Sequence, residues 1–382
     1  MLTNNNIAVT GLGVVCSLAN NINDFWSALL NDSCGIKNWE DLKHLDFKYT
    51  HASRVENFEC DALQRGFLFS VAAIDQAIQQ AKVASQEKWG LFLGTTMGES
   101  AAFEAIAEKN KTLIPEDYTG FGICKRLQQK YPKIKTFQCF ATACAAGNYA
   151  LNAGLDALRK GDITIAIVGG VDPFSKIAMT GFSRSRAMSP SGICKPFDLD
   201  RDGMILGEGA GFLVLEKVEN ATKRNTNVLA IINDCALSCD AYHPTAPKPD
   251  ASGIIDCFNQ ILKNNVLKHS KIDWISAHGT GTKLSDQSEA KAISNVFKAY
   301  KPYVSSIKPK IGHTLGAATA IEAIVSVLSI QHNTIPHTIN HTNSEFDIRI
   351  PKQPVYTEVN HVLNCGYAFG GLNSISLFSS WN

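Results

Sequence analysis

Short runs of apolar, β-branched and aromatic residues alternate along this chain with longer stretches in which apolar residues return every three or four positions. Runs of the first kind are Ile7–Thr10, Trp89–Leu93, Thr136–Phe140, Ile163–Val168, Gly211–Leu215, Val228–Asn233, Asp273–Ala277, Val362–Phe369 and Ile375–Phe378, each predicted as a β-strand. Stretches of the second kind are Asn23–Leu30, Phe67–Ala84, Ser100–Lys111 and Ile123–Tyr131, predicted as helices. The most regular helical stretch begins at Ala146, where Ala150, Leu151, Gly154, Leu155 and Leu158 share one face and Lys160-Gly161-Asp162 brings it to a stop. Strands alternating with helices imply mixed, mostly parallel sheets covered by helices, an α/β protein.

The later part of this pattern repeats the earlier part. Asp273–Ala277 ends in His278-Gly279-Thr280-Gly281-Thr282 as Trp89–Leu93 ends in Gly94-Thr95-Thr96-Met97-Gly98. Ile311–Ala317 opens an Ala-rich helix as the segment around Cys144 does. The join falls near Cys235–Asp250, giving an N-terminal half of residues 1–235 and a C-terminal half of residues 236–382. Gly11-Leu12-Gly13 after the first strand resembles a dinucleotide-binding turn, but Cys16 occupies the place of the third glycine and no acidic residue ends a matching second strand.

Composition narrows the function. A chain of 382 residues with 45% hydrophobic content builds a large core, as two domains or one two-part domain. Its formal net charge of +1 supplies no general attraction for nucleic acid or an anionic membrane. Eleven cysteines, odd in number and irregularly spaced, fit a reducing compartment rather than a disulfide framework, and none forms a zinc-like pair. The residues from Met1 to Asn6 lack the marks of a signal peptide, and apolar runs such as Ala323–Ile330 are too short to span a bilayer, so a cytoplasmic protein is expected.

Cys144 lies in Ala141-Thr142-Ala143-Cys144-Ala145-Ala146-Gly147, where a predicted strand turns into a helix N-terminus. Free amides and the helix dipole there favour an anion, which predicts a stabilised thiolate. His278, His313 and Lys308 each follow a strand or open a helix beside small residues, and the repeat predicts that the same face carries all four groups. A thiol alone suggests a protease or hydrolase. With two imidazoles able to hold an enolate oxygen, and an ammonium, the set favours carbon–carbon bond formation through an acyl-enzyme.

These motifs resemble the β-ketoacyl-ACP synthases, the condensing enzymes of the thiolase superfamily, and the elongating type II members above all. The resemblance rests on Thr142-Ala143-Cys144-Ala145-Ala146-Gly147, on Lys195-Pro196-Phe197-Asp198 with Arg201-Asp202-Gly203 and Gly207-Glu208-Gly209-Ala210-Gly211, on His278-Gly279-Thr280-Gly281-Thr282, on Lys308 with Gly312-His313, and on Phe369-Gly370-Gly371. They stand in the family's order over nearly the whole chain. The resemblance implies a five-layer αβαβα thiolase fold of two pseudo-repeated halves, usually a homodimer, with a heterodimer containing a ketosynthase-like subunit as the other arrangement.

It further implies that Cys144 is acylated, and that His278 and His313 promote decarboxylation of a malonyl thioester. Lys308 would act beside them, paired with Glu289. The amides of Cys144 and Phe369 would form the oxyanion hole, with Phe369 gating an acyl tunnel and Gly370 next to it. Thr280 and Thr282 would contact the phosphopantetheine arm of an acyl carrier protein, and Arg184 and Arg186 the carrier itself. No cofactor or metal of the enzyme's own is implied, since the carrier brings the substrates.

Two features stand apart from this resemblance. Asp198-Leu199-Asp200-Arg201-Asp202-Gly203 begins like a calcium loop, but Gly209 holds the twelfth place, where a glutamate is required. The basic helix that elongating synthases often carry before the segment ending at Phe67 is reduced here to Arg65, and the loop Ser189–Cys194 is compact. Condensation in fatty acid, polyketide or polyene assembly is therefore expected, by a specialised synthase of polyketide or polyene type rather than the housekeeping enzyme. The alternatives are a chain-length-factor-like partner subunit and an acyltransferase that does not elongate.

Overall fold

Two sheets of five strands, joined edge to edge, frame the molecule. The structure is a computed structural model and describes residues 6–45, 47–56, 58–83, 87–107 and 113–381. The first sheet contains β1 (Ile7–Cys16), β2 (Trp89–Gly94), β3 (Ile134–Phe140), β4 (Ile165–Asp172) and β5 (Gly209–Lys217). The second contains β6 (Ala230–Cys239), β7 (Trp274–Ser276), β8 (Tyr303–Ser305), β9 (His361–Ala368) and β10 (Leu372–Ser379).

Across the whole sheet the order is β8-β7-β9-β10-β6-β1-β5-β4-β2-β3. Each half therefore has the same order, with its first strand next to its fifth, then the fourth, second and third. The directions match as well. First with fifth and fifth with fourth pair antiparallel, and fourth with second and second with third pair parallel. The sheets meet where β1 pairs with β6 over Ile7–Val9.

Six helices cover the sheets or flank the site. They are α1 (Arg65–Ala81), α2 (Ala146–Lys160), α3 (Lys176–Arg184), α4 (Ser252–Asn264), α5 (Lys283–Phe297) and α6 (Ala318–His332). Helix α1 lies outside the first sheet, and α4 and α5 lie outside the second. Helices α2 and α6 pack on each other and on strands of both sheets, forming the central layer of a helix–sheet–helix–sheet–helix stack. Every residue of α6 from Ala318 to Ile330 is buried, as expected of a helix that is apolar on all sides. Among the described residues, Leu315–His332 is the one helical stretch long and apolar enough to cross a membrane, and 89% of it is buried within the fold.

The predicted elements occur, with shifted ends. Tertiary pairing extends the strands beyond their apolar cores, as in β6, predicted as Val228–Asn233 and observed as Ala230–Cys239. Helix α1 starts two residues earlier than predicted and ends at Ala81, while Ala84 lies outside the described residues, as do 108–111 of the predicted Ser100–Lys111 helix. The glycines after the first predicted strand are interior to β1. A Cβ at Gly11 or Gly13 would come within 2.0 or 1.8 Å of a carbonyl oxygen, that of Ala77 or Ala73 on α1. Bare backbone at these two places lets a helix lie directly on the strand.

Candidate active site

Strand β3 delivers the chain to Thr142, and Ala143 then adopts φ +48°, a left-handed conformation uncommon for a residue with a side chain. One 3₁₀ turn, Ala143–Ala145, leads into α2 and leaves Cys144 at the bend. The second half makes the same bend, with Leu315 at φ +51° ahead of Gly316 and α6.

The histidines arrive from the other half. His313 is fixed through its backbone, which donates to Ile205 O at 2.7 Å and accepts from Gly207 N at 2.9 Å. Its Nε2 lies 3.0 Å from Cys144 Sγ. His278 follows β7, and its ring meets that of His313 edge to face at 5.3 Å between centroids. The turn carrying His278 hangs on two buried carboxylates of α5. Glu289 accepts from His278 N and Gly279 N, both at 2.8 Å, and Asp286 accepts from Thr280 N and Gly281 N at 3.1 and 3.2 Å.

Cys144, His278, His313, Phe369, Thr280, Thr282 and Arg186 line one cavity of about 450 Å³. The Phe369 ring packs on Phe182 at 5.6 Å, and both side chains face the cavity. Thr280 Oγ1 and Thr282 Oγ1 lie 2.8 Å apart on its wall. Asp198, at the head of the loop that begins like a calcium site, accepts instead from the amides of Thr342, Asn343 and Asp200.

Several expectations need correction. Lys308 pairs with Glu322 of α6, not with Glu289, and both partners are fully buried. Glu289 has spent its oxygens on the His278 turn and does not line the cavity, so it supports the site from behind rather than binding substrate. Gly370 also stands outside the lining. Its amide donates to Pro244 O at 2.7 Å, and the neighbouring Gly371 faces the cavity instead. Arg65, read as the remnant of a basic docking helix, is held between both oxygens of Glu208 and the Val55 carbonyl.

The predicted standing thiolate is overturned too. Burial pushes the Cys144 thiol up to about 12, against the pull of the Lys308 ammonium. Desolvation of the charged form outweighs the Lys308 ammonium and the backbone amide of Cys144 itself. Burial, and then the Lys308 ammonium, hold His278 and His313 well below the usual imidazole value, so both rings are neutral near pH 7.

Two site residues escaped sequence reasoning. Glu322 was legible as the lone carboxylate in the otherwise uncharged run Ala318–Ile330, a position that demands a buried cation. Asp172 carried no comparable signal, because its partners are amides brought together only by the fold.

Known proteins share this sequence pattern and fold. The model for the beta-ketoacyl synthase N-terminal domain matches residues 4–81 and 52–221, and that for the C-terminal domain matches 229–342. The chain is 32% identical to 3-oxoacyl-[acyl-carrier-protein] synthase 2 of Coxiella burnetii, with 98% of each chain covered. It is 30% identical to the synthase of the same name from Staphylococcus aureus strain COL, with 100% of each covered. Among solved structures, the ishigamide ketosynthase/chain length factor superposes with a TM-score of 0.93 at 31% identity, over 100% of both chains. A type II PKS ketosynthase bound to the hexaketide, in complex with its acyl-carrier protein, gives 0.92 at 26% identity, again over 100% of both chains.

Proposed function

The chain belongs to the β-ketoacyl synthase family, and from that premise we infer how its thiol, imidazoles and ammonium divide the work of a condensing acyltransferase. The reaction is decarboxylative Claisen condensation of an acyl thioester with malonyl thioester in fatty acid or polyketide synthesis. The observation that carries the assignment of roles is the 3.0 Å approach of His313 Nε2 to Cys144 Sγ, with His278 on the same cavity wall.

In the first half-reaction Cys144 Sγ attacks the acyl carbonyl. A new C–S bond forms, the bond to the carrier sulfur breaks, and the thiol proton ends on the departing carrier thiol. Because the resting thiol is protonated, its proton must move during attack, and His313 Nε2 is the imidazole nitrogen in reach. The amides of Cys144 and Phe369 receive the carbonyl oxygen.

In the second half-reaction malonyl thioester loses carbon dioxide, and the electron pair of the broken C–C bond becomes an enolate. Ring N–H groups of His278 and His313 hold its oxygen, with His313 then in the tautomer that carries its proton on Nε2. The enolate carbon attacks the Cys144 thioester, a C–C bond forms, the C–S bond breaks, and the released thiolate takes a proton. Lys308, clamped by Glu322, contributes its field and keeps both rings neutral, the state that can donate without being an acid.

The substrates arrive on the phosphopantetheine arm of an acyl carrier protein, which passes Thr280 and Thr282, with Arg186 at the cavity facing the carrier. No cofactor of the enzyme's own enters this scheme. The second copy of a homodimer pairs at the free edge of β3, where Phe121 is exposed and packs on Phe137 at 5.2 Å. The ishigamide ketosynthase/chain length factor supports a heterodimer with a ketosynthase-like subunit as the other arrangement.

Intact-mass measurement on protein incubated with acyl and malonyl carrier substrates tests the reading. Wild type gains an acyl group and releases a chain longer by two carbons as its β-keto thioester. Cys144→Ala gains none. A Cys144→Ala protein that still takes up the acyl group overturns the assignment.

A further inference from the structure

The repeat points to a role for a buried carboxylate that none of the steps above uses. The bends before α2 and α6 have the same backbone. Thr142 and Thr314 have φ, ψ of −97°, 39° and −85°, 23°; Ala143 and Leu315 follow at φ +48° and +51°; Ala145 and Ala317 have −89°, −3° and −81°, −17°. Gly316 is therefore the counterpart of Cys144.

The fourth strands align as closely. Trp89 pairs with Ile165 in the first half and Trp274 with Val362 in the second. Counting the same distance onward along β4 and β9, the place that Phe369 holds in the second half is held in the first by Asp172. The corner formed by Cys144 and Phe369 opens on the cavity. The corner formed by Gly316 and Asp172 is closed.

Its contents are well defined. Asp172 is fully buried, and its carboxylate accepts from Thr95 Oγ1 at 2.8 Å, Thr96 N at 2.9 Å, Met97 N at 2.8 Å and Gly316 N at 2.6 Å. Three amides and a hydroxyl thus converge on one anion, the arrangement that stabilises an oxyanion, with a side-chain carboxylate as permanent occupant. The fit is tight, since a Cβ at Gly316 would lie 2.8 Å from Asp172 Oδ2. The carboxylate also ties a turn of the first half to the second half just after His313, whose ring must reach Cys144.

We propose that Asp172 is a positioning residue: by filling the repeat-related counterpart of the pocket beside Cys144, its carboxylate holds Gly316, and through it His313, at the thiol. The proposal rests on the reading of Cys144 as the acylated nucleophile and His313 as its partner.

The test compares wild type, Asp172→Ala and Asp172→Asn in steady-state condensation, with acyl uptake checked by intact mass, with and without sodium formate. Asp172→Ala leaves the converging donors without an acceptor. It is expected to lower kcat about 10–100-fold with KM unchanged, the scale of loss when reacting groups are slightly misplaced. Formate, a carboxylate small enough for the vacated corner, is expected to restore part of the rate saturably, and to do nothing for wild type or for His313→Ala.

A wild-type kcat in Asp172→Ala, or a loss that formate leaves unchanged, overturns the proposal. If Asp172→Ala is recovered unfolded, Asp172→Asn decides. That variant keeps the volume and one acceptor oxygen, and its kcat must fall at constant KM or the proposal fails. If wild type takes up no acyl group, the functional reading fails instead, and the two failures are thereby distinguished.

Discussion

Lys308 and Glu322 show what one buried pair does in this site. Each is an ion removed from water, tolerable because the other neutralises it. Glu322→Gln leaves the ammonium without its counter-charge and is expected to cost about 3–5 kcal/mol, read from the denaturant midpoint. Replacing both, as Lys308→Met with Glu322→Leu, should cost less than that single change while removing activity. The histidines divide differently. His278→Ala, which removes no hydrogen bond to the sulfur among the described residues, is expected to spare acylation and cut condensation about 10²–10⁴-fold. His313→Ala should lower both, and separate assays of acyl uptake and carbon dioxide release distinguish the two. The pH dependence follows from the lowered imidazole pKa values. An imidazole whose folded value is depressed stays neutral well below its unfolded value, near 6.5, so the two rings should sustain activity as pH falls from 8 through 6.5. Below pH 6.5 the unfolded chain protonates the two histidines while the folded one does not, a contribution lost towards acid and opposed by Glu289, Glu322, Asp172 and Asp286, whose carboxyls burial raises. A melting-temperature series from pH 7.5 to 5 checks the sign.

Helices α2 and α6 set the distance between the nucleophile and the second half. Gly147 lies at their crossing, where a Cβ would come within 2.6 Å of Ala320 N and 2.7 Å of Thr319 Oγ1. Gly147→Ala is expected to push the helices apart and cost about 1–3 kcal/mol. Because Cys144 opens α2, acylation should slow along with the fall in stability; a destabilised variant with an unchanged acylation rate would separate the crossing from the chemistry. At this scale much was legible from sequence. The spacing of Ala146, Ala150, Leu151, Gly154, Leu155 and Leu158 gave the face of α2, and all six are buried. Strand ends were less legible, because pairing partners rather than local composition extend them, as at β6.

For the whole molecule, the open edge of β3 is the feature that self-association would use. On the proposed pairing, wild type sediments as a dimer and Phe121→Asp as a monomer, with the site's own residues left in place; a Phe121→Asp protein that stays dimeric would move the interface elsewhere. The chain by itself determined the two-part α/β architecture, the repeat and the candidates Cys144, His278, Lys308 and His313, since each depends on local periodicity or on a motif of neighbouring residues. Only the tertiary structure decided which carboxylate meets Lys308, that the thiol stays protonated, and that Asp172 closes the counterpart corner. Those outcomes depend on burial and on donors far apart in sequence, quantities that exist only once the two sheets have closed around α2 and α6.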